Sequence, residues 1–465
     1  MIIRNQRLIQ NGISSELIVG VISEHKRKVV RLNKLLKYYK GETAITRREV
    51  KESYKPNNKI VANHSKYITD IATSYISGND ITFTGKDSEI INEINKTLDI
   101  HSHDTELYRD LSIFGVGFEL LYFNEIGELE ISVASPLESF VVRDNSIKNK
   151  PLFAVRYFAN YDFDGNISDY SIIVYTKNQV IEYIAESLET STSMIKISEE
   201  NHHFQSIPLV EYQNNKIRQG DAEPVLSLID AYDKLTSNRI DDKEALVDSI
   251  LLISGSSLGD TESEVSTTAQ MIEKYRMLEL DENGKAEYLV KSLNETEVQI
   301  LANSIKQDIH EFALVPCLTD ENFSVNASGV AMKYKLLGIE NLCRTKEAYF
   351  KKSLRERLHI IAQALAIKGV FIDVKGIKPV FTRSLPSNEL ELANVVTMLR
   401  GTVSLETLLS LLPFVNDVSE EMKVLAKEQL EQAQQQQQLN STFGFDIPIN
   451  EIEVGVDEDE ERAED

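Results

Sequence analysis

A single helical pattern of unusual length constrains this chain more than any other feature of its sequence. It follows a polar stretch, residues 319–326, and an Ala-Ser-Gly sequence that ends at Gly329; apolar residues then recur three, four or seven positions apart to about Ala366. This spacing is the period of one helix face. A periodic segment longer than about 25 residues indicates a coiled coil, a membrane span or a helix that crosses a large assembly. Its many lysines and arginines exclude the membrane span.

The length and charge of the chain set the limits of its organisation. It has 465 residues and a formal net charge of -23. Because one hydrophobic core stops growing near roughly 250–300 residues, the length predicts about two to four modules. Residues 451–465 contain nine acidic residues and one arginine. The remaining chain is acidic as well, whereas proteins that bind nucleic acids are usually basic.

The cysteine content and the apolar runs indicate a compartment. Cys317 and Cys343 are the only cysteines, so a disulfide framework is not expected and a reducing cytoplasm is favoured. The N-terminal residues lack an apolar signal core, and no run of about 18 apolar residues occurs. The sequence therefore predicts neither secretion nor insertion into a membrane.

Residues 1–222 have the pattern of an α+β unit. The helical period predicts helices over 15–39, 63–76 and 88–98, and a fourth helix from 104 that turns at Gly115 and Gly117 into a strand over 118–123. Short β-branched and aromatic segments follow at 128–133, 139–143, 152–158, 171–175 and 179–184. The turn residues that separate them predict an antiparallel sheet.

Two long polar helices are predicted next, over 225–246 and 295–314. Between them, strands are predicted at 250–254, 277–280 and 286–290, the last two joined by a turn at Gly284. The apolar face of the first helix is narrow, which predicts that its polar side either meets solvent or packs against copies of itself. After the very long helix we expect a strand at 380–383, helices from 386 to 432 and disorder from about 436 onward.

Several short sequences occur along the chain in one characteristic order. They are Tyr38-Tyr39-Lys40-Gly41, residues 57–61, residues 67–70 with 74–78, and residues 327–333. Together they resemble the portal proteins of tailed bacteriophages, and the resemblance covers roughly residues 30–430. In that family about twelve copies form a ring at one capsid vertex, the head-to-tail connector through which the genome enters and leaves.

The resemblance implies a portal-type α+β fold and a division of the chain. The implied parts are a wing over 1–222, stem helices over 223–249 and 292–317, a clip over 250–291, a tunnel loop over 318–329, a long wing helix and strand over 330–386, a helical crown over 387–435 and a disordered acidic tail over 436–465. Stem helices that pack against neighbouring subunits would explain the narrow apolar faces.

The same resemblance implies a tunnel that conducts DNA. Residues expected beside the DNA are Asp320, Glu321, Asn322, Phe323, Ser324, Val325, Asn326 and, on the second stem helix, Lys306. Ser328 and Gly329 are expected to form a hinge before the long helix. Two alternatives stay open: Lys306 as an ordinary solvated lysine, and Phe323 packed against its neighbour. An acidic tunnel wall would repel phosphates and keep DNA from sticking.

No pattern in the sequence predicts catalysis, a metal site or a cofactor. His101, His103, His202 and His203 lack the further ligands that a zinc site needs and are predicted to lie in solvated loops. No phosphate-binding loop of the Gly-x-x-x-x-Gly-Lys-Ser/Thr type occurs, so a packaging ATPase would be a separate protein. The adjacent acids Asp241 and Asp242 are predicted to lie on a solvated face.

The resemblance also implies partners and a location. The partners are other copies of the chain, double-stranded DNA in transit, the terminase large subunit, a head-completion or adaptor protein at the clip, and the major capsid and scaffolding proteins. The location is the virion, after assembly in the host cytoplasm.

Two other classes of function remain open on the residues. A helical scaffold or adaptor that binds no DNA predicts small oligomers without a central hole. A nuclease or phosphoryl-transfer enzyme predicts metal-dependent activity that depends on an acid pair. Neither class explains the order of polar helices, loop and long helix.

Overall fold

The fold is given by a computed structural model that describes most of the chain. The described residues are 1–10, 12–49, 56–247, 250–254, 261–275, 284–289, 295–318, 329–383, 389–410, 412, 415 and 418–443. They fall into two compact units, Met1–Ser384 and Leu385–Asp465. Among the described helices, none combines the length and the apolar character that crossing a membrane requires.

The first unit mixes helices and strands. Its helices are α1 Ser15–Tyr39, α2 His64–Ser77, α3 Ser88–Thr97, α4 Ile100–Phe114, α5 Leu226–Val247, α6 Glu262–Tyr275, α7 Glu295–Phe312, α8 Gly329–Lys335 and α9 Leu337–Ile367. Its strands are β1 Ile2–Arg4, β2 Thr82–Thr84, β3 Val116–Phe123, β4 Leu129–Ala134, β5 Ser139–Asp144, β6 Pro151–Tyr161, β7 Ile167–Tyr175, β8 Gln179–Ala185, β9 Met194–Asn201, β10 Leu209–Gln213, β11 Ile250–Ser254, β12 Lys285–Leu289 and β13 Lys378–Val380. The predicted α+β class is confirmed.

The strands form two main sheets that pack around two hydrophobic cores. A six-stranded sheet has the order β1-β5-β6-β7-β8-β9, with β1 parallel to β5 and the other pairs antiparallel. Its inner face packs on Ile18 and Ile22 of α1. A three-stranded sheet, β10-β3-β4, shares the larger core with α2, α4 and α9. The chain therefore buries a helix against each sheet, as an amphipathic helix requires.

Local signals explain where the first helices begin and end. The Ser14 hydroxyl accepts a hydrogen bond from the Leu17 N–H at 3.3 Å and caps α1. Gly115 ends α4 in the left-handed region at φ 80°. The chain then enters β3, as the sequence predicts. The strand predicted at 380–383 is instead β13, three residues over 378–380 that pair with β2.

The very long helical pattern forms two helices with one interruption. Gly329 is the first residue of α8, Leu336 separates the helices at φ -89° and ψ 0°, and α9 continues for 31 residues. Phe350, Leu354 and Leu358 of α9 are buried in the larger core. The predicted length is thus present, but the segment is not one continuous helix.

The tip between α5 and α7 contains an antiparallel strand pair. β12 pairs with β11, Ile250 opposite Leu289 and Ser254 opposite Lys285. The strand predicted at 277–280 lies outside the described residues, so the predicted hairpin at Gly284 stays a prediction. Helix α6 was not predicted, although Val265, Ala269 and Ile272 follow the helical spacing of i, i+4 and i+7.

The second unit is helical where it is described. Its helices are α10 Glu389–Leu399, α11 Leu405–Ser410 and α12 Val418–Phe443. The disordered tail is predicted to begin at residue 436. Helix α12 instead runs through the glutamines at 434–438 and ends at Phe443. Glutamine is a good helix former, so a helix that has already started continues through it.

Candidate functional site

Helices α5 and α7 form an antiparallel pair at the centre of the candidate site. Arg239, late in α5, donates to the Glu295 carboxylate at the start of α7 at 2.7 Å. At the other end, the ring of Tyr232 in α5 lies 5.1 Å from that of His64, which lies 5.4 Å from His310 late in α7. Contacts at both ends fix the register of the two helices.

The polar side of α5 is bound to the chain's own residues 38–62. The Asp230 carboxylate accepts from the Tyr38 hydroxyl at 2.8 Å. Asp233, fully buried, accepts from the Thr43 hydroxyl at 2.7 Å and from the Ala62 N–H at 2.9 Å. Irregular backbone next to a helix leaves N–H donors that need acceptors, and these carboxylates supply them.

Asp241 extends this arrangement toward the tip and corrects a prediction. It accepts from the Asn58 N–H at 2.7 Å and forms a salt bridge with Arg48. The predicted solvated face is therefore wrong for Asp241, and the alternatives of solvent or a second copy are wrong for Asp230 and Asp233. The sequence does not reveal the partners of these three aspartates, because each partner lies more than 170 residues away along the chain.

Replacing Asp241 with asparagine is expected to lower the free energy of unfolding at pH 7 by about 1.5–3 kcal/mol, the value of hydrogen bonds to a charged group. Burial by itself raises the pKa of Asp241, but the hydrogen bonds from Asn58 and Arg48 outweigh it and hold the pKa below its usual value of 3.8. Stability from such a group is present above the pKa of the unfolded chain and is lost as the pH falls through the folded pKa. Thermal unfolding from pH 7 to pH 3 should show the difference shrinking. Asp242→Asn, one position further along α5, is the control, and an equal loss in both variants contradicts the prediction.

The chain just after α7 lies next to the start of the long helix α9. Leu314, just after α7, has a left-handed backbone at φ 58°. A Cβ atom added to Gly338, the second residue of α9, would lie 3.2 Å from the Leu314 carbonyl oxygen. The chain just after α7 and the start of α9 therefore lie against each other at this point. We call this contact, together with the bonds that Tyr67 makes beside it, the loop base.

Tyr67 of α2 fixes the chain at the loop base, where it leaves α7. Its hydroxyl accepts a hydrogen bond from the Leu318 N–H at 2.8 Å and donates to the Pro316 carbonyl at 3.3 Å. Its ring lies 5.3 Å from the His310 ring, and Nδ1 of His310 lies 3.0 Å from the Val315 carbonyl oxygen. The chain is thus held up to the residue at which the predicted loop begins.

The imidazole of His64 sits inside this aromatic group. Burial, with smaller contributions from the charges of His310 and Lys306, lowers the pKa of His64 to about 4. The ring is therefore neutral at pH 7 and packs as an aromatic side chain. His64 thus contributes an aromatic contact beside the loop base rather than a charge.

The predicted tunnel residues divide into two groups in the structure. Asp320–Asn326 and Ser328 lie outside the described residues, so their roles stay predictions. Lys306 is half-buried on α7, and Gly329 begins α8. Sequence reasoning did not single out Gly338, although a glycine inside a continuous helical pattern is a signal for a close backbone approach.

A buried ion cluster ties α9 to the sheets. We define it as Arg357, Asp104, Glu119, His103 and Tyr212. Nη2 of Arg357 lies 2.6 Å from both the Asp104 and the Glu119 carboxylates. The Glu119 carboxylate also accepts from the Tyr212 hydroxyl at 2.8 Å and lies 3.0 Å from Nε2 of His103. The predicted solvated loop is therefore wrong for His103, which lies on α4 with 8% of its side chain exposed.

The two carboxylates of the cluster respond differently to burial: desolvation raises the pKa of Asp104, whereas Glu119 is held ionised. Burial alone raises the pKa of Glu119, but the Arg357 charge and the hydrogen bonds from His103 and Arg357 lower it to about 2. A second fully buried pair, Lys346 with Asp221 at 2.7 Å, lies nearer the start of α9. Buried ion pairs thus hold α9 in the core at two positions along its length.

The histidines of the chain lie outside any metal cluster that the structure describes. In the part of the chain that the structure describes, no three histidine, cysteine, aspartate or glutamate side chains are arranged to hold a metal ion. His202, predicted to be solvated, is half-buried, with Nε2 2.9 Å from the Thr176 carbonyl oxygen.

These features define an α+β fold of the portal type. The chain belongs to the SPP1 Gp6-like family of phage portal proteins, because residues 20–436 match the family model described as "Phage portal protein, SPP1 Gp6-like". It is 24% identical over 399 residues to the portal protein of Clostridium phage phiCD119, covering 81% of this chain and 86% of that protein. It is 23% identical over 465 residues to the portal protein of Bacillus phage SPP1, covering 94% and 90%. The resemblance drawn from the short stretches is confirmed, and the family is a structural one.

Proposed function

We propose that this chain forms the ring-shaped portal at one vertex of a phage capsid, the channel through which the genome is packaged and ejected. The observation that carries the proposal is the match to the portal family over residues 20–436. Two relatives whose lengths are covered to 86% and 90% are both portal proteins. The ring contains about twelve copies.

Within the ring, α5 and α7 serve as the stem and residues 318–329 form the tunnel loop. The loop presents Asp320–Asn326 to the DNA, Lys306 faces the same channel from α7, and Ser328 and Gly329 form the hinge. The close approach of Leu314 and Gly338 supports this assignment, since it brings the chain on either side of the loop together at the end of the helix pair.

The remaining parts serve as docking surfaces in the virion. The clip, residues 250–291, binds the terminase large subunit during packaging and then a head-completion or adaptor protein. The wing and the crown, residues 387–435, meet the major capsid and scaffolding proteins during assembly in the host cytoplasm. The net charge of -23 per chain lets the channel wall repel phosphates, so DNA slides without binding tightly. The packaging motor is a separate protein.

The proposal is tested by native mass spectrometry of the purified full-length chain, with negative-stain images of the same sample. We expect closed rings of about twelve copies with a central hole, because heterologous contacts close into rings when the rotation between subunits permits. Monomers or dimers that form no ring even with the capsid and scaffolding proteins present would contradict the proposal.

A further inference from the structure

A cavity of about 570 Å³ opens beside α1, outside the loop base and the ion cluster. The apolar side chains that line it include Leu32, Phe118, Phe140 and Val141. This volume falls within the range of about 300–1,000 Å³ that is usual for binding pockets. An aromatic side chain with its neighbours therefore fits inside.

Charged side chains also line the cavity. The basic ones are Arg27, Lys28, Arg31 and Arg218, and the acidic ones are Glu211 and Glu223. Lys28, Arg31 and Arg218 form salt bridges with Glu24, Glu223 and Glu211 of the same chain. Among the described residues Arg27 has no acidic partner, and it is exposed. The cavity is thus suited to an apolar group with an acid beside it, and Arg27 is the cation available to that acid.

The hairpin between β6 and β7 carries a group of this kind. Phe163 at its tip is fully exposed, and Tyr161 and Ile167 beside it are 67% and 50% exposed. Asp162 and Asp164 flank Phe163. Exposed apolar residues grouped at one tip indicate a contact with another protein surface.

The hairpin tip is held rigid by its own hydrogen bonds. The Asp162 carboxylate accepts from the Asp164 N–H at 3.0 Å and from the Asn166 N–H at 2.8 Å. Gly165 takes the left-handed conformation that the turn needs, at φ 81°. A pre-ordered tip loses little conformational entropy on binding, so it is suited to act as an anchor.

We propose that the hairpin tip of one subunit, with Phe163 foremost, inserts into the cavity of the adjacent subunit of the ring, with Asp164 beside Arg27. This inference rests on the proposed ring. Apolar residues at the tip match the apolar side chains that line the cavity, and Asp164 matches Arg27. Each subunit offers one tip and one cavity, a heterologous contact that continues from subunit to subunit until the ring closes.

The juxtaposition is tested by cross-linking assembled rings of the Asp164→Cys, Arg27→Cys double variant with a short bismaleimide. A ladder of covalent oligomers on a denaturing gel is expected, because every subunit would be joined to the next. Each single-cysteine variant controls for Cys317 and Cys343. Intact rings without a ladder would overturn the inference and leave the portal function standing. Absence of rings from the unmodified chain would overturn the portal function and this inference with it.

The energetic role of the tip is tested separately with Phe163→Asp. Loss of one aromatic anchor is expected to raise the concentration at which half of the chains are in rings about thirtyfold, as measured by mass photometry. Ile126→Asp is the matched control, since Ile126 is 78% exposed at the tip of another hairpin, β3–β4. Reversed charges in Asp164→Arg with Arg27→Asp should assemble better than either single reversal. Equal assembly of the Phe163 and Ile126 variants would overturn the inference.

Discussion

Replacing Arg357 with alanine is expected to lower the free energy of unfolding by about 3–5 kcal/mol, the usual cost of removing one partner from a buried ion pair. The side chain is 2% exposed and contacts the carboxylates of Asp104 and Glu119, which are 6% and 0% exposed. Without the guanidinium, two carboxylates remain buried with too few donors. The measurement is the unfolding transition of the first unit, followed by calorimetry and by denaturant titration of the full chain.

Arg344→Ala is the control for the loss of an arginine from α9. Arg344 is 71% exposed and pairs with Glu340 one turn away, so its removal should change the stability by less than about 1 kcal/mol. Combining Arg357→Met with Asp104→Asn and Glu119→Gln should recover part of the loss, because the variant buries no unpaired charge. Equal stability of the Arg357 and Arg344 variants would show that the buried ion cluster does not stabilise the fold.

Replacing Gly115 with alanine is expected to cost about 2–4 kcal/mol in the free energy of unfolding, from backbone strain and forced displacement together. Gly115 has φ 80°, and a Cβ atom there would lie 2.2 Å from the Arg218 carbonyl oxygen. The residues that would have to move, around Arg218, link the three-stranded sheet to α5. Thermal unfolding and the assembly of rings are the two measurements.

Gly127→Ala separates the cost of the left-handed backbone from the cost of displacing neighbouring atoms. Gly127 has nearly the same backbone angle, φ 78°, but a Cβ atom there would meet no heavy atom within 4 Å. This variant should lose only the roughly 1–2 kcal/mol of the left-handed conformation. If both alanine variants lost the same amount, the close approach between Gly115 and Arg218 would contribute nothing.

The regular elements could be predicted from the sequence because their signals are local. The period of three to four residues identified α1, α2 and α9, and alternation with turn residues identified most of the six-stranded sheet. Strand β1 escaped prediction because three residues that pair in parallel with β5, more than 130 positions away, leave no local pattern. The portal family itself was identified from short stretches in a fixed order.

The contacts that build the candidate site could not be read from the sequence. Arg357 joins Glu119 across 238 positions and Lys346 joins Asp221 across 125. Nothing near Arg357 distinguishes it from the exposed arginines of the same helix, because burial is decided by packing. The roles of residues 320–326 beside the DNA remain predictions.

The interruption at Leu336 separates the seven residues of α8 from a helix that is fixed in the core. Beyond that point Gly338 abuts Leu314, and the Lys346 and Arg357 pairs hold α9 in the core. Local opening of the chain before Leu336 therefore breaks none of these buried contacts.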